Sequence, residues 1–289
     1  MKPTPLPWRG QLSHMALRVP DVSRAETFYQ DVVGLSPHAA AVDGGVALGW
    51  GAGAHAVELL AGEPALDHFA LEVPDPEQLA SLRERIAAAG VAVVDCAGPG
   101  HPDGFFVTDP DGRRVEFHGR IERSGERVAD LAWRPRRLQH ITLATPALAP
   151  ALEFYTEVLG LRVSDRMGEV FAWLRCGSEH HTVAIVQSDS SRKLDHFSFD
   201  LDHWDDFKGW CDRLSELGVR VGWGPGRHGP GNNVFLMFDD PDGFHIELSS
   251  EMEHYFDDVA DYGVRQWEPS DTAVNLWGGV PSWRAPQVA

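Results

Sequence analysis

The stretch LSHMALRVPDVSRAETFYQDVVGL (residues 12–35) returns without a gap as LQHITLATPALAPALEFYTEVLGL (residues 138–161). Shorter matches follow in the same order: LDHFALEV (66–73) with LDHFSFDL (194–201), and TDPDGRRVEF (108–117) with DDPDGFHIEL (239–248). The spacing between the copies grows slightly along the chain, as expected for a duplicated unit with small loop insertions. Because self-similarity at a fixed period indicates repeated structural units, the chain is predicted to contain two copies of one unit.

Each copy shows the same order of predicted elements. A strand of alternating polarity, Leu12–Val19 or Leu138–Thr145, leads through a Pro-containing turn into an amphipathic helix, which in the second copy is predicted to end at Gly160. Further elements predicted from periodicity are the strands Val170–Arg175, Thr182–Val186, Leu66–Val73 and Leu194–Leu201 and the helices Glu77–Ala89 and Trp204–Leu217. Each copy therefore reads as two βαβββ units.

These elements predict an α+β fold of four tandem βαβββ modules, with curled mixed sheets around a cavity. We expect an N-terminal domain over residues 1–125 and a similar C-terminal domain over residues 126–250. Residues 251–289 lie outside the repeat and are rich in aromatic residues. Since disordered tails are depleted in aromatics, this segment is predicted to pack over the C-terminal domain as a flap.

Composition excludes several classes of partner. The formal charge of −18 argues against nucleic acid and anionic membranes, which select basic surfaces. The three cysteines are scattered, which suits a reducing compartment, and neither a signal peptide nor a membrane-spanning stretch is recognisable. We therefore expect a cytoplasmic protein whose partners are small molecules.

Three polar residues of the second copy lie on strands predicted to share one sheet. His140 lies on the first strand, His196 on the strand that opens the next unit, and Glu247 on the last strand, where it faces away from Ile246 and Leu248. Taken singly, each is more often a hydrogen-bonded core histidine or a solvated glutamate. Together they favour a two-His-one-carboxylate triad, which leaves open positions on Fe(II), with Mn(II) as a possible substitute. Zinc usually prefers a more closed tetrahedral site.

The residues from Gly224 to Leu248, GPGRHGPGNNVFLMFDDPDGFHIEL, resemble the signature of a known family. That family is the type I extradiol catechol dioxygenases of the vicinal oxygen chelate superfamily, and the resemblance extends to the four modules and to WGGVPSW (277–283) in the tail. It implies Fe(II) held by His140, His196 and Glu247. The implied reaction inserts both atoms of O₂ into a catechol and opens the ring outside the diol, in the catabolism of aromatic compounds.

The resemblance also implies roles for further residues. His181 stands at the place of an acid/base histidine with a near-neutral pKa, and neighbouring His180 is its rival for that role. His228 matches a second histidine that borders the metal and the substrate oxygens. Residues implied to contact the substrate are Trp173, Thr142, Met237 and Trp223. For Trp173, a place in the hydrophobic core is an equally good interpretation.

Two positions depart from the family pattern. A tyrosine that donates to a catechol oxygen usually stands where this chain has Met237, and a thioether cannot donate. Trp223 stands where some relatives have an arginine that binds a substrate carboxylate. An uncharged or bulky apolar catechol is therefore predicted.

Other functions stay open. The same superfamily contains glyoxalases, epimerases and thiol transferases that use a similar metal site without O₂, and proteins that bind a ligand without catalysis. The family also makes a homo-oligomer a reasonable expectation.

The first copy carries the same residue types at the matching places. His14, His68 and Glu116 correspond to the triad, and His55 and His101 correspond to His181 and His228. These residues are predicted to form either a second metal site or a relic of one, with Ala47 where the second copy has Trp173.

Overall fold

Seventeen strands and five short helices make up the described part of the chain. The computed structural model describes residues 6–38, 44–50, 55–98, 101–121, 134–255 and 262–279, with only the backbone at residues 101 and 102. The first half contains β1 (Gln11–Val19), α1 (Val22–Phe28), β2 (Ser36–Pro37), β3 (Val46–Gly49), β4 (His55–Ala61), β5 (Ala65–Glu72), α2 (Pro76–Ala88), β6 (Val94–Gly98), β7 (His101–Thr108) and β8 (Arg114–His118). The second half contains β9 (Arg137–Thr145), α3 (Leu148–Glu153), β10 (Arg162–Met167), β11 (Phe171–Arg175), β12 (Val183–Gln187), β13 (Leu194–Asp200), α4 (Asp206–Glu216), β14 (Val221–Arg227), β15 (Val234–Asp239) and β16 (His245–Ser250). The tail adds β17 (Arg265–Trp267) and α5 (Asp271–Val274).

The strands form two mixed sheets, one for each half. The first has the order β2-β3-β4-β1-β5-β8-β7-β6. Read from the corresponding edge, the second has the matching order β10-β11-β12-β9-β13-β16-β15-β14, and β17 from the tail extends it beside β10. In each sheet the two modules meet where their first strands pair antiparallel, β1 with β5 and β9 with β13. The predicted α+β fold of four βαβββ modules is confirmed.

The first helix of each half ends in a wider turn than its sequence predicts. After α1 and α3, residues Tyr29–Val33 and Phe154–Val158 form π-helical turns. Gly34 and Gly160 follow with φ of 82° and 84°, a left-handed conformation that glycine adopts without steric cost. Gly160 therefore ends this helical segment, as predicted, although its last turn is not α-helical.

Alternation along the central strands separates an apolar face from a polar one. Ile141 lies between His140 and Thr142 in sequence, and Phe197 follows His196; both apolar side chains are fully buried in the main core. Since successive strand residues point to opposite faces, the histidines lie on the face away from this core. Burying each large apolar side chain stabilises the fold by roughly 1.5–3 kcal/mol, so the core specifies which face carries the polar residues.

The two halves brace each other through their Asp-Pro-Asp-Gly turns. The hydroxyl of Tyr155, in the second half, donates to Asp109 Oδ2 at 3.1 Å in the first half. The hydroxyl of Tyr29, in the first half, donates to Asp240 Oδ2 at 3.0 Å in the second. The repeated turn is thus a reciprocal contact between the copies.

The tail packs on the second sheet. Its strand β17 pairs parallel with β10, and Trp267 donates from Nε1 to Asp165 Oδ2 at 2.7 Å. Phe256 and Trp283, two aromatics of this segment, lie outside the described residues. None of the helices in the described ranges has the length and apolarity that a bilayer crossing requires.

Candidate metal centre

Strand register brings the predicted triad together. His140 on β9 pairs with Ser198 on β13, and Ser198 pairs with Glu247 on β16. In the next row His196 on β13 pairs with Thr142 on β9. Because paired residues on neighbouring strands point to the same face, these side chains all lie on one face of the sheet.

The three donor side chains are buried and close enough to share one ion. Their ligand atoms all lie within 4.8 Å of one another. His196 Nε2 is 3.3 Å from Glu247 Oε2, and His140 Nε2 is 3.8 Å from Glu247 Oε1. Adjacent ligands at about 2.1 Å from one ion lie roughly 3 Å apart, so small side-chain adjustments bring all three within bonding distance of a metal.

Neighbouring polar groups orient the donors. His196 Nδ1 is 2.5 Å from Asp195 Oδ1, and His140 Nδ1 is 3.2 Å from Gln139 Oε1. With Nδ1–H donating to these oxygens, each Nε2 keeps its lone pair, as metal-ligating histidines require. Asn233 donates from Nδ2 to Glu247 Oε1 at 3.1 Å and so holds the carboxylate.

Burial sets the protonation state of the site. It lowers the pKa of His140 to about 3, against the opposing effect of Glu247. Although burial alone would raise the pKa of Glu247, His140, His196 and His228 hold it well below its usual value. Neutral imidazoles around an ionised carboxylate are the form in which these residues bind a metal.

His228 borders the triad and is fixed by the tail. Its Nδ1 donates to the backbone oxygen of Val274 at 2.6 Å, and its ring stacks on Phe235 with centroids 3.8 Å apart. Its Nε2 lies 3.6 Å from Glu247 Oε2. The tail therefore determines the direction in which this imidazole points.

His181 ends a buried chain of polar contacts. Asp165 Oδ2 lies 3.1 Å from His180 Nε2, and His180 Nδ1 lies 3.0 Å from His181 Nδ1. The ring of His181 is 4.3 Å from that of His140. If Asp165 accepts the Nε2–H of His180, then His180 Nδ1 accepts from His181, and His181 Nε2 carries a lone pair. His181 is thus in contact with a triad residue, and His180 lies behind it.

The expectation of a near-neutral pKa for His181 is wrong. Burial, together with His140 and His180, lowers its pKa well below the ordinary histidine value. Its imidazole is therefore uncharged at pH 7 and is suited to accept a proton rather than to supply one at the outset.

The residues predicted to contact a substrate line the same face. Met237 and Trp223 pair with each other beside Glu247 and are buried with Phe235. Trp173 pairs with Ala184, which pairs in turn with Thr142, and the Trp173 ring stacks on Phe171 at 4.0 Å. Thr142 Oγ1 lies 3.1 Å from His196 Nε2. The walls next to the triad are thus largely apolar and aromatic.

Sequence reasoning missed the residues that orient the site. The repeated LDH triplet, at 66–68 and 194–196, was a visible signal for Asp195, since each aspartate precedes a candidate ligand. No comparable pattern identifies Asn233 or Asp165, whose roles depend on contacts between separate elements, or Gln139, which contacts its neighbour His140. His180 stood out only as a rival of His181 and not as its support.

The first sheet assembles its matching residues as well. His14, His68 and Glu116 have ligand atoms within 4.8 Å of one another, and His68 Nε2 is 3.9 Å from Glu116 Oε2. The rings of His14 and His55 are 4.1 Å apart. The side chain of His101 lies outside the described part of the structure.

Several known proteins are similar to this chain in sequence and architecture. A family model described as the Glyoxalase/Bleomycin resistance protein/Dioxygenase superfamily matches residues 11–117 and 137–248. Metapyrocatechase 2 of Cupriavidus necator is 32% identical over 219 residues, covering 66% of this chain and 68% of that protein. The iron-dependent extradiol dioxygenase of Rhodococcus jostii (strain RHA1) is 28% identical over 235 residues, covering 72% of this chain and 75% of that protein.

A solved structure is similar over nearly the whole chain. The Mn(II)-bound glyoxalase from Novosphingobium aromaticivorans is 33% identical, with a TM-score of 0.83 and coverage of 97% of this chain and 93% of that one. The family model matches once in each sheet, in agreement with the internal repeat. The chain belongs to the Glyoxalase/Bleomycin resistance protein/Dioxygenase superfamily, where its sequence resemblance placed it.

Proposed function

We propose that the protein is an Fe(II)-dependent extradiol dioxygenase that opens a catechol ring next to the diol with both atoms of O₂, with Mn(II) as a possible substitute. The observation that carries this proposal is the buried His140, His196 and Glu247 set, bordered by His181 and His228. Relatives named as a metapyrocatechase and as an iron-dependent extradiol dioxygenase support the same reaction class.

His140, His196 and Glu247 would hold the ion. When bound, a divalent iron ion supplies a Lewis acid with open positions where a diol and O₂ meet. One carboxylate against a divalent ion leaves the donor set with a net charge of about +1. This charge complements a catechol that has lost one proton, so the donor set favours a monoanionic diol over a neutral one.

His181 is the residue proposed to move protons. Its neutral imidazole directs Nδ1 at His180, which leaves Nε2 for a proton taken from a diol hydroxyl. Asp165, whose pKa is held below its usual value by His180 and Arg265 despite burial, stabilises the positive charge that His181 acquires. His181 can then return this proton to an oxygen of the opening ring.

The walls limit the substrate. Trp173, Trp223 and Met237 present apolar surface, and Met237 has no hydrogen to donate. We therefore propose an uncharged or bulky apolar catechol. Several other expectations stay predictions. They are an N-terminal domain over residues 1–125, a working C-terminal domain over 126–250, a flap over 251–289, a cytoplasmic location and a homo-oligomer.

Anaerobic loading with Fe(II), followed by a panel of catechols in aerated buffer, tests the proposal. O₂ consumption together with a yellow ring-fission product is expected, largest for apolar diols. The variants His181→Asn and His181→Phe should keep the bound iron and lose most of the turnover. An iron-loaded protein that consumes no O₂ with any diol would overturn the function, and full turnover in both variants would overturn the role of His181.

A second candidate is a metal-dependent reaction that uses no O₂. It is favoured by the Mn(II)-bound protein named as a glyoxalase, to which this chain is 33% identical. Conversion of an α-oxoaldehyde–thiol adduct under anaerobic conditions by the Mn(II)-loaded protein would support this candidate. Product formation that stops when O₂ is removed would exclude it.

A further inference from the structure

The N-terminal sheet differs from the C-terminal sheet by an exchange of two paired residues. In the C-terminal sheet, Trp173 on β11 pairs with Ala184 on β12. In the N-terminal sheet, the same places on β3 and β4 hold Ala47 and Glu58. A large aromatic opposite a small residue is thus replaced by a small residue opposite a carboxylate.

The carboxylate of Glu58 lies among the histidines of the N-terminal sheet. Its Oε2 is 4.0 Å from His68 Nε2, about as close as Glu116 Oε2 at 3.9 Å. Its Oε1 is 3.1 Å from His55 Nε2. His14 shares a ligand cluster with Glu58 and His55, and a second cluster with His68 and Glu116. Two carboxylates and three histidines therefore form two overlapping three-residue clusters that share His14.

The register explains why Glu58 reaches this region. Ala16 pairs with Glu58 on one side and with His68 on the other. The matching residue in the other sheet, Thr142, places its hydroxyl 3.1 Å from His196. The methyl group at Ala16 is shorter and leaves space for the glutamate to approach the histidine.

In the N-terminal sheet, His68 contacts the aspartate that precedes it, as His196 does in the C-terminal sheet. Asp67 Oδ1 lies 3.0 Å from His68 Nδ1, just as Asp195 approaches His196 Nδ1. A carboxylate on Nδ1 leaves the lone pair on Nε2 and makes it a stronger ligand. Glu58, His14 and Glu116 are buried as well, each less than a tenth exposed.

We propose that the N-terminal sheet holds a second divalent transition metal, bound by His14, Glu58, His68 and Glu116. Two nitrogen and two oxygen donors suit ions such as Mn(II), Co(II) or Zn(II). Two carboxylates neutralise a divalent ion, whereas Glu247 alone leaves a net positive charge in the C-terminal site. The N-terminal metal therefore attracts no anionic diol, and its role is to stabilise the sheet. This proposal is independent of ring cleavage.

Metal stoichiometry tests the second site without reference to activity. The full-length protein is stripped with a chelator, equilibrated with Mn(II) or Co(II) alone, and measured by elemental analysis. Two ions per chain are expected in the unaltered protein. One ion per chain is expected in Glu247→Ala, which leaves two histidines at the C-terminal site, and in the double variant Glu58→Ala with Glu116→Ala, which leaves two histidines at the N-terminal site. Glu58→Ala alone, which installs the residue found at Ala184, keeps two histidines and Glu116 and should bind the second ion more weakly.

The Glu58→Gln variant removes the charge but keeps the side-chain volume, so it tests Glu58 without creating a cavity. Circular dichroism reports the fold of each variant. Glu58→Gln should likewise bind the second ion more weakly than the unaltered protein, and added Mn(II) should still raise the Tm of Glu247→Ala. A Glu247→Ala protein that binds no metal would overturn the second site. A folded Glu58→Gln protein that binds two ions as tightly as the unaltered protein would remove Glu58 from the ligand set.

Discussion

The two sheets place the same ligand types on the same strands, yet they surround them differently. Both align two histidines and a glutamate through strand register, and both orient one histidine with the preceding aspartate. They differ beside the donors, where Glu58 in one sheet matches Ala184 in the other. The backbone thus positions donors twice, and neighbouring side chains decide whether a site is closed by a carboxylate or left open beside an aromatic wall.

The two Asp-Pro-Asp-Gly turns also share a backbone and differ in the side chains around it. Asp109 and Asp240 each accept a tyrosine hydroxyl from the other half. Asp109 also pairs with fully buried Arg113 at 2.7 Å, whereas the matching residue after Asp240 is Phe244. One buried carboxylate is therefore neutralised by a guanidinium, and the other relies on backbone N–H groups and a hydroxyl.

The largest expected effect separates the two glutamates. Glu247→Ala should lower turnover by more than about 100-fold, because losing a ligand exceeds the 10- to 100-fold cost of losing an orienting group. Glu116→Ala should keep turnover close to that of the unaltered protein. Steady-state O₂ uptake after identical iron loading makes the measurement. Equal losses of turnover in both variants would contradict the assignment of catalysis to the C-terminal site alone.

The two turns should differ in their contribution to stability. Asp109→Asn leaves the buried guanidinium of Arg113 without its full counter-charge, so the free energy of unfolding should fall by about 3 kcal/mol. Asp240→Asn keeps an oxygen acceptor and loses no cationic partner within the described residues, so it should cost less than about 1 kcal/mol at pH 7. Urea unfolding followed by tryptophan fluorescence compares them, and similar losses would contradict the assignment.

The aspartates that precede the histidines offer a matched pair. Asp195→Asn weakens the orientation of His196 and should lower turnover and metal retention about 10-fold. Asp67→Asn, which also removes the ion pairs of Asp67 with Arg18 and Arg114, should leave turnover unchanged and loosen metal held in the N-terminal sheet. Metal titration alongside O₂ uptake distinguishes these outcomes. A loss of turnover in Asp67→Asn would instead indicate coupling between the sheets.

The smallest effect is a pH dependence that belongs to one turn. Burial raises the pKa of Asp240 to about 6, so the folded protein retains this proton between about pH 4 and pH 6 while the unfolded chain releases it. The stability contributed by this group is therefore full below pH 4 and is lost as the pH rises through 6. Between pH 5 and pH 7, Asp240→Asn should gain about 1 kcal/mol relative to the unaltered protein in urea unfolding. Parallel curves for the two proteins would show that Asp240 titrates normally.

Most of the architecture follows from the sequence. The repeat, the alternation along Leu138–Thr145 and the turn residues predict four βαβββ modules, and the observed strand β9 differs from its prediction by one residue. Identity at matched positions also predicts that His140, His196 and Glu247 share a face. These features depend on local periodicity, which a sequence displays directly.

Other features depend on contacts between residues far apart in the chain. Asn233 holding Glu247, the chain from Asp165 through His180 to His181, and the reciprocal tyrosine contacts of the two turns all join separate elements. The lowered pKa of His181 is likewise the sum of its burial and its neighbours. The sequence by itself determined the modules and the kinds of donor. Only the tertiary structure decided register, burial and the side chains beside each donor set, because desolvation and charge interactions are set by neighbours in space.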